Sequence, residues 1–185
     1  MTDDESAELR AQLEACVGQP TGSGGPSRAP DAVNIPMIRH WVDAMDDHNP
    51  VYLDEEFAKT TRFGGIVAPP AMLQTWTMGR PQIQGIAERG GAPSAVESGM
   101  LSLLDKAGYT SIVATNSELE FERYLRVGDH LQSSTVFESV SEEKTTALGR
   151  GYFVTWVTTY VDADDNVVGR QRFRVFKFIA ARTAS

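Results

Sequence analysis

The sequence is poor in the residues on which several classes of protein depend. Its 185 residues include one cysteine, Cys16, so an internal disulfide and a multi-cysteine metal site are excluded. His40 and His130 have no cysteine, histidine or carboxylate at metal-ligand spacing, and no metal site is expected. Basic residues number 17 against 25 acidic ones, and no basic run offsets this excess. The net charge of -8 therefore argues against a surface for nucleic acid or anionic lipid.

Long apolar runs are also missing. No stretch is long enough to span a bilayer, and the acidic segment 1–5 has no apolar core of the kind found in a signal peptide. We therefore expect a soluble protein without a membrane partner. The lone cysteine is consistent with the reducing cytoplasm, which is the predicted location.

The chain nevertheless has enough apolar residues for one globular domain, at 41% hydrophobic residues and three tryptophans. An apolar face predicts a helix from Ser6 to Val17. The Gly/Pro/Ser-rich stretch 18–30 predicts an irregular loop or wrap-around arm. The expected division is an N-terminal helix and arm over residues 1–33 and a single folded domain over residues 34–185.

Helices are predicted in the first half of this domain. Asn34 is placed to cap a helix whose apolar stripe ends at Met45, and Asp54 is placed to begin a short helix. A central helix is predicted from Pro70 to Met78, but it rises only about 15 Å. The segment 82–99 is expected to replace the missing part irregularly, and a further helix is expected over 100–107.

The second half is rich in β-branched and aromatic residues and predicts antiparallel strands. The expected strands are Tyr109–Ala114, Leu119–Tyr124, His130–Val140, Thr145–Val161 and Val167–Ala180, with a hairpin turn at 162–166. Helices followed by long strands indicate an α+β fold.

Two neighbouring segments carry the chemical information. The first reads Asp47-His48-Asn49-Pro50-Val51-Tyr52-Leu53-Asp54, and the second reads Phe63-Gly64-Gly65-Ile66-Val67-Ala68-Pro69-Pro70. Together they resemble the MaoC-like (R)-specific enoyl-CoA hydratases, which read roughly G-D-x-N-P-x-H-x-D and then F-G-G-x-x-A-H-G. The resemblance implies a single hot-dog fold, in which an antiparallel sheet wraps a central helix that is shortened here.

Three departures fall on functional positions of that family. Asp47 aligns with the catalytic aspartate, but Tyr52 occupies the position of the histidine, and a tyrosine with a pKa of about 10 is a poor base. Pro69 and Pro70 replace the second His-Gly pair, whose glycine N–H binds the thioester oxyanion. Proline suits a helix start but has no N–H to donate. The resemblance therefore implies that no intact catalytic pair remains and that Asp47 is vestigial.

The resemblance extends over residues 35 to 180. Phe121-Glu122-Arg123-Tyr124-Leu125-Arg126-Val127-Gly128-Asp129 is similar to the family landmark F-x-R-P-x-x-x-G-D, and the segment 142–151 adds a more specific match. Within this family, the sequence resembles in particular the N-terminal MaoC-like domain of the larger subunit of actinobacterial steroid side-chain enoyl-CoA hydratases. In that group the larger subunit continues into an OB-fold-containing domain that this sequence does not show, which leaves open that the chain is part of a longer protein.

The resemblance implies a heterodimer or heterotetramer with a small MaoC-like subunit that carries the intact aspartate and histidine. The complex would add water to an α,β-unsaturated steroid C-3 side-chain CoA thioester in cholesterol degradation, and a further C-terminal domain would contact an aldolase. No cofactor is expected, because coenzyme A is part of the substrate. This first hypothesis makes the chain a non-catalytic subunit that binds acyl group and CoA.

Two other hypotheses stay open. One is a self-sufficient hot-dog hydratase or thioesterase that uses Asp47, and the other is a non-enzymatic acyl-CoA-binding or assembly module. The subunits of fatty-acid-type (3R)-hydroxyacyl dehydratases share a similar Ala-Pro motif and are the competing assignment.

The candidate site residues follow from these motifs, and each has a simpler alternative. The predicted substrate-binding residues are Asp47, Asn49, Tyr52, Ala68, Pro69, Pro70, Met72 and Trp76. The predicted CoA-binding residues are Arg123, Arg126, Lys144 and Arg150. Asp47 could instead bond only neighbouring backbone N–H groups, Tyr52 could be a packed aromatic, and each basic residue could be a solvated charge. Arg170, Arg172 and Arg174 share one strand face, which is either a phosphate-facing stripe or, as we favour, an outer face paired with acidic residues.

Overall fold

The computed structural model describes residues 3–21, 25–79 and 99–181. The α-helices are α1 (Asp3–Ala15), α2 (Ile35–Met45), α3 (Pro50–Leu53), α4 (Glu55–Thr60) and α5 (Met100–Lys106), and a 3-10 helix spans Pro70–Thr77. The strands are β1 (Ser27–Arg28), β2 (Ser111–Phe121), β3 (Gln132–Val140), β4 (Lys144–Thr146), β5 (Gly149–Val161) and β6 (Val167–Ala180). None of the described helices is long and apolar enough to cross a membrane.

All strand pairs are antiparallel. The sheet has six strands in the order β1-β3-β5-β6-β2, and β4 pairs with β5 at its first residues. The hairpin of β5 and β6 is closed by Asp162, whose carboxylate accepts hydrogen bonds from the backbone N–H groups of Asp164 and Asn166. The strand β2 pairs with β6 and lies at the edge of the described sheet.

The helices pack on one face of the sheet, which we call the inner face. On β6 the odd-numbered residues point to it, because Gln171 bonds Gln74 of the 3-10 helix and Lys177 pairs with Asp105 of α5. Two buried clusters cover this face. One joins α2, α3 and the 3-10 helix to the ends of β5 and β6, and the other joins α1 and α5 to the middle of the sheet.

The local signals for the helices act as predicted. Asn34 accepts a hydrogen bond from Met37 N and caps α2, while Asp54 accepts one from Phe57 N and caps α4. Ile38 and Val42 of α2 are buried. The antiparallel α+β hot-dog fold is therefore confirmed, together with most helix positions.

Several predicted details were wrong. The central helix is a 3-10 helix, not an α-helix, and the Thr75 hydroxyl donates to the Met72 carbonyl in its tight turn. The two predicted strands within 109–124 form one strand, β2, with an irregularity between Ala114 and Asn116. A turn separates β4 from β5 where one strand was predicted.

The N-terminal arm packs more closely than predicted. Ser27 and Arg28 pair with β3, and Ala29 and Val33 are buried. In contrast, side chains at or just past helix ends point to solvent: Val17, Met45 and Met78 are exposed. Most of the segment predicted to be irregular after the central helix lies outside the described residues.

Gly169 sets how closely the 3-10 helix approaches the sheet. A Cβ at this position would lie 2.6 Å from both the Leu73 side chain and the Glu120 carbonyl oxygen. We expect Gly169→Ala to destabilise the protein by roughly 1 to 3 kcal/mol, because a crowded core must shift backbone. Gly65→Ala is the matched control, since nothing lies within 4 Å of its added Cβ. Urea unfolding measures both, and equal stabilities would contradict this close approach.

Candidate functional site

The second motif segment, 63–70, and the landmark segment 121–129 meet at one end of the inner face, next to the first motif segment. The Ala68 N–H donates to the Leu125 carbonyl at 2.8 Å, and Val67 forms a β-bridge with Arg126. The ring of Phe63 packs against that of Tyr124, with centroids 4.6 Å apart. Segments about 60 residues apart in the sequence are therefore held together by backbone bonds and aromatic packing.

Asp47 and Asn49 build the turn that begins this site. The Asp47 carboxylate accepts a hydrogen bond from Asn49 N at 3.0 Å, and the Asn49 side chain accepts one from Val51 N and caps α3. Pro50 occupies the first turn of α3. Both polar side chains thus bond neighbouring backbone N–H groups, which is the simpler of the two roles considered for Asp47.

Tyr52 is buried on α3, with 8% of its surface exposed. Burial raises the pKa of its hydroxyl, and Tyr124 and Asp47 raise it further. A phenol whose pKa lies above its ordinary value stays protonated at neutral pH, so it cannot act as a general base. The packing around Tyr52 therefore makes this residue an even poorer substitute for a histidine base than an exposed tyrosine would be.

The start of the 3-10 helix offers no donor at the position of the family's glycine. Pro70 is the first residue of this helix and has no N–H, while the Met72 N–H donates to the Pro69 carbonyl. Ala68 and Pro69 are buried. Further along the helix, Met72 and Trp76 lie in the core, and the Trp76 indole N–H is buried without a partner among the described residues.

The four predicted CoA-binding residues do not come together. Arg123 and Arg126 lie where the motif segments meet, which we call the motif end of the inner face. Lys144 of β4 and Arg150 of β5 lie at the other end of β5, roughly 30 to 40 Å away along that strand. Arg123 donates to Asp129 and Asp162, and Arg150 pairs with Glu143. Arg126 is exposed and has no carboxylate partner in the part of the chain that the structure describes.

Arg62 also lies at the end of the inner face where the motif segments meet, but it was not among the residues predicted from the sequence. Its guanidinium lies 4.9 Å from the centroid of the Phe63 ring. It is exposed and forms no ion pair with the described residues. An arginine immediately before the motif phenylalanine was the only available signal, and an adjacent basic residue is too common to be informative.

The arginines of β6 point away from this site, as favoured from their alternation. Arg170 pairs with Glu122, while Arg172 pairs with Glu118 and Glu138. Arg174 packs on the ring of Phe153, 4.5 Å from its centroid. An open cavity of about 360 Å³, lined in part by Arg172, Arg174 and Glu138, lies on the opposite, outer face of the sheet, remote from the motif. The residues that the structure describes contain no cluster able to hold a metal ion.

Comparison with protein families identifies the domain type. Residues 26–171 match the model described as "FAS1-like, dehydratase domain region". The chain is 47% identical over 178 residues to a "Probable enoyl-CoA hydratase alpha subunit" of Thermomonospora curvata, covering 95% of this chain and 54% of the relative. It is 38% identical over 179 residues to the "3-oxo-4,17-pregnadiene-20-carboxyl-CoA hydratase alpha subunit" of Mycobacterium tuberculosis, covering 96% and 53%. The chain thus spans about half the length of these relatives.

Solved structures agree on the fold. A chain of the ChsH1-ChsH2 complex from Mycobacterium tuberculosis superimposes with a TM-score of 0.76 at 35% identity, covering 100% of this chain and 97% of that one. The (R)-hydratase of A. caviae involved in PHA biosynthesis superimposes with a TM-score of 0.53 at 16% identity, covering 84% and 94%, which supports the fold alone.

Proposed function

Because the chain belongs to the family of FAS1-like, MaoC-like dehydratase domains, we propose that it is the non-catalytic, substrate-binding subunit of a heteromeric enoyl-CoA hydratase. The observation that carries the proposal is the loss of both chemical groups within a preserved framework. Tyr52 is a buried phenol with a raised pKa, and Pro70 has no N–H. Asp47 and Asn49 still form the turn, but their side chains bond backbone.

The exposed edge of the described sheet supports the proposal that a partner chain supplies the missing groups. The strand β2 has 11 residues and pairs only with β6 among the described strands. Its inner-face residues Ile112 and Phe121 are 49% and 43% exposed. A long exposed edge with apolar side chains favours pairing with another chain. The alpha-subunit names of two relatives point in the same direction.

The substrate is a bulky acyl-CoA in this proposal. The 3-10 helix is only eight residues long, so it fills less of the inner face than a long central helix would fill. We propose that a rigid polycyclic acyl group lies beside this short helix. The M. tuberculosis relative is named for a steroid enoyl-CoA, and a steroid C-3 side-chain thioester is the substrate that we propose here.

The proposed CoA contacts lie at the motif end. Arg62 and Arg126 are exposed, and neither is neutralised by a carboxylate among the described residues. Their charge is available for the phosphates of CoA, which bind guanidinium groups through charge-assisted hydrogen bonds. Arg123 is a positioning residue in this scheme, since it ties Asp129 to Asp162.

Copurification with a MaoC-like protein, followed by hydration assays, tests the proposal. We expect the complex to hydrate a steroid enoyl-CoA and to use crotonyl-CoA less well. Equal or faster turnover of crotonyl-CoA would contradict the bulky-acyl substrate and favour the fatty-acid-type assignment. If no complex forms and the chain is active alone, the non-catalytic role is wrong.

A further inference from the structure

Four side chains from separate elements form a hydrogen-bonded ladder between the sheet and the 3-10 helix. We call Tyr160 of β5, Gln171 of β6, Ser117 of β2 and Gln74 of the 3-10 helix the amide ladder. Tyr160 and Gln171 are buried, with 3% and 7% of their surfaces exposed. Gln74 and Ser117 are exposed, so the ladder runs from the core to the surface of the inner face.

The direction of each hydrogen bond is defined. The Tyr160 hydroxyl donates to Gln171 Oε1 at 3.3 Å. Gln171 Nε2 donates to Gln74 Oε1 at 2.7 Å and to Ser117 Oγ at 3.1 Å. Burial raises the pKa of Tyr160 to about 12, so its hydroxyl remains a donor at neutral pH.

The direction of these hydrogen bonds determines which donors the exposed end of the ladder presents to a ligand. The oxygens of Gln74 and Ser117 accept from Gln171, which leaves the amide N–H groups of Gln74 and the hydroxyl hydrogen of Ser117 as the outward donors. Neither group donates to another described residue. None of the four side chains carries a charge. An uncharged oxygen acceptor is therefore the matching ligand group, whereas a carboxylate would lack a counter-charge.

The ladder lies within reach of a substrate held at the motif end. Gln74 is four residues beyond Pro70, which is about 8 Å along a 3-10 helix. Resting on the proposed function, we propose that Gln74 and Ser117 bind a ketone oxygen of the acyl group and thereby select for oxygenated acyl chains. The buried part of the ladder positions these two donors.

Gln74→Glu provides the sharpest test. A glutamate oxygen can still accept from Gln171, so the internal ladder is kept, but the outward N–H donors are lost. The probes are a polycyclic enoyl-CoA with a ring ketone and the same thioester without that oxygen, assayed with the chain in complex with its catalytic partner. We expect the native complex to prefer the ketone substrate in kcat/KM by roughly 3- to 10-fold, as expected for one or two hydrogen bonds.

The variant should lose this preference through a higher KM for the ketone substrate, with kcat and the deoxy substrate little changed. Ser117→Ala should lose part of it. Gln12→Glu is the matched control, since the Gln12 amide bonds Glu8 on the exposed side of α1, remote from the ladder. This control should keep the native ratio.

Two results would overturn the ladder proposal while the proposed function stands. One is equal kcat/KM for both substrates in the native complex. The other is a Gln74→Glu complex that keeps the native ratio of kcat/KM for the two substrates. If this variant keeps the ratio but size-exclusion chromatography shows weaker assembly, the ladder contacts the partner and not the substrate. If the complex hydrates neither substrate, the proposed function and the ladder proposal both fail.

Discussion

Alone, the chain is expected to hydrate an enoyl-CoA at least about 100-fold more slowly than its complex, because the loss of a general base or of an oxyanion donor each costs this much. Tyr52 is a buried phenol and Pro70 has no N–H, so both groups are missing from the described site. The two losses need not multiply, since residues that act as a unit are not additive. Single-turnover hydration at saturating enzyme measures the difference.

Asp47 distinguishes a non-catalytic subunit from a self-sufficient enzyme. Its carboxylate bonds Asn49 N, so Asp47→Asn should retain a side-chain oxygen acceptor in the turn. We expect the substitution to leave the hydration rate of the complex within roughly twofold, in the range of a conservative change away from reacting atoms. The matched control is the same substitution at the corresponding aspartate of the catalytic partner, which should abolish turnover. Loss of turnover with Asp47→Asn in this chain would favour the self-sufficient enzyme instead.

A charge on the inner face of β2 should weaken the complex by roughly 30-fold or more, which corresponds to the loss of a hot-spot contact at the interface. Ile112 is 49% exposed on a strand whose other edge is unpaired among the described strands. Ile112→Glu places a carboxylate where an apolar contact is proposed, and a buried unpaired charge is costly. Isothermal titration with the catalytic partner measures the dissociation constant.

Leu148→Glu is the control for this prediction. Leu148 is 51% exposed, but it lies in the turn between β4 and β5 rather than on the open edge. Circular dichroism of both variants would separate misfolding from a specific loss of binding. If Ile112→Glu binds the partner as tightly as Leu148→Glu, the interface does not include this part of β2.

Much of the fold was predictable because its signals are local. Asn34 and Asp54 cap helices through bonds to residues three positions away, and the alternation of Arg170, Arg172 and Arg174 predicts their common face. The family was also predictable from the sequence, and the motif positions occupied by Tyr52 and Pro70 are fixed by their neighbouring motif residues. These inferences need only the order of residues and the chemistry of each side chain.

The remaining features depend on contacts between distant segments. The segment Pro70–Thr77 forms a 3-10 helix, whose hydrogen bonds join residues three apart instead of the four of an α-helix. Its residue types do not distinguish between these two helices. Arg123 was predicted to bind CoA, but only the approach of Asp129 and Asp162 reveals its ion pairs.

The sequence by itself therefore determined the domain family and the replacement of the motif histidine and glycine by Tyr52 and Pro70, since proline cannot donate an N–H and a tyrosine is not a neutral-pH base in any fold. Only the tertiary structure decided which polar groups meet. Gln74, Ser117 and Gln171 are up to 97 residues apart, and no local pattern links them. The pairing of β2 with β6 brings Ser117 next to Gln171, and the packing of the 3-10 helix on the inner face adds Gln74. Both are set by long-range burial rather than by neighbouring residues.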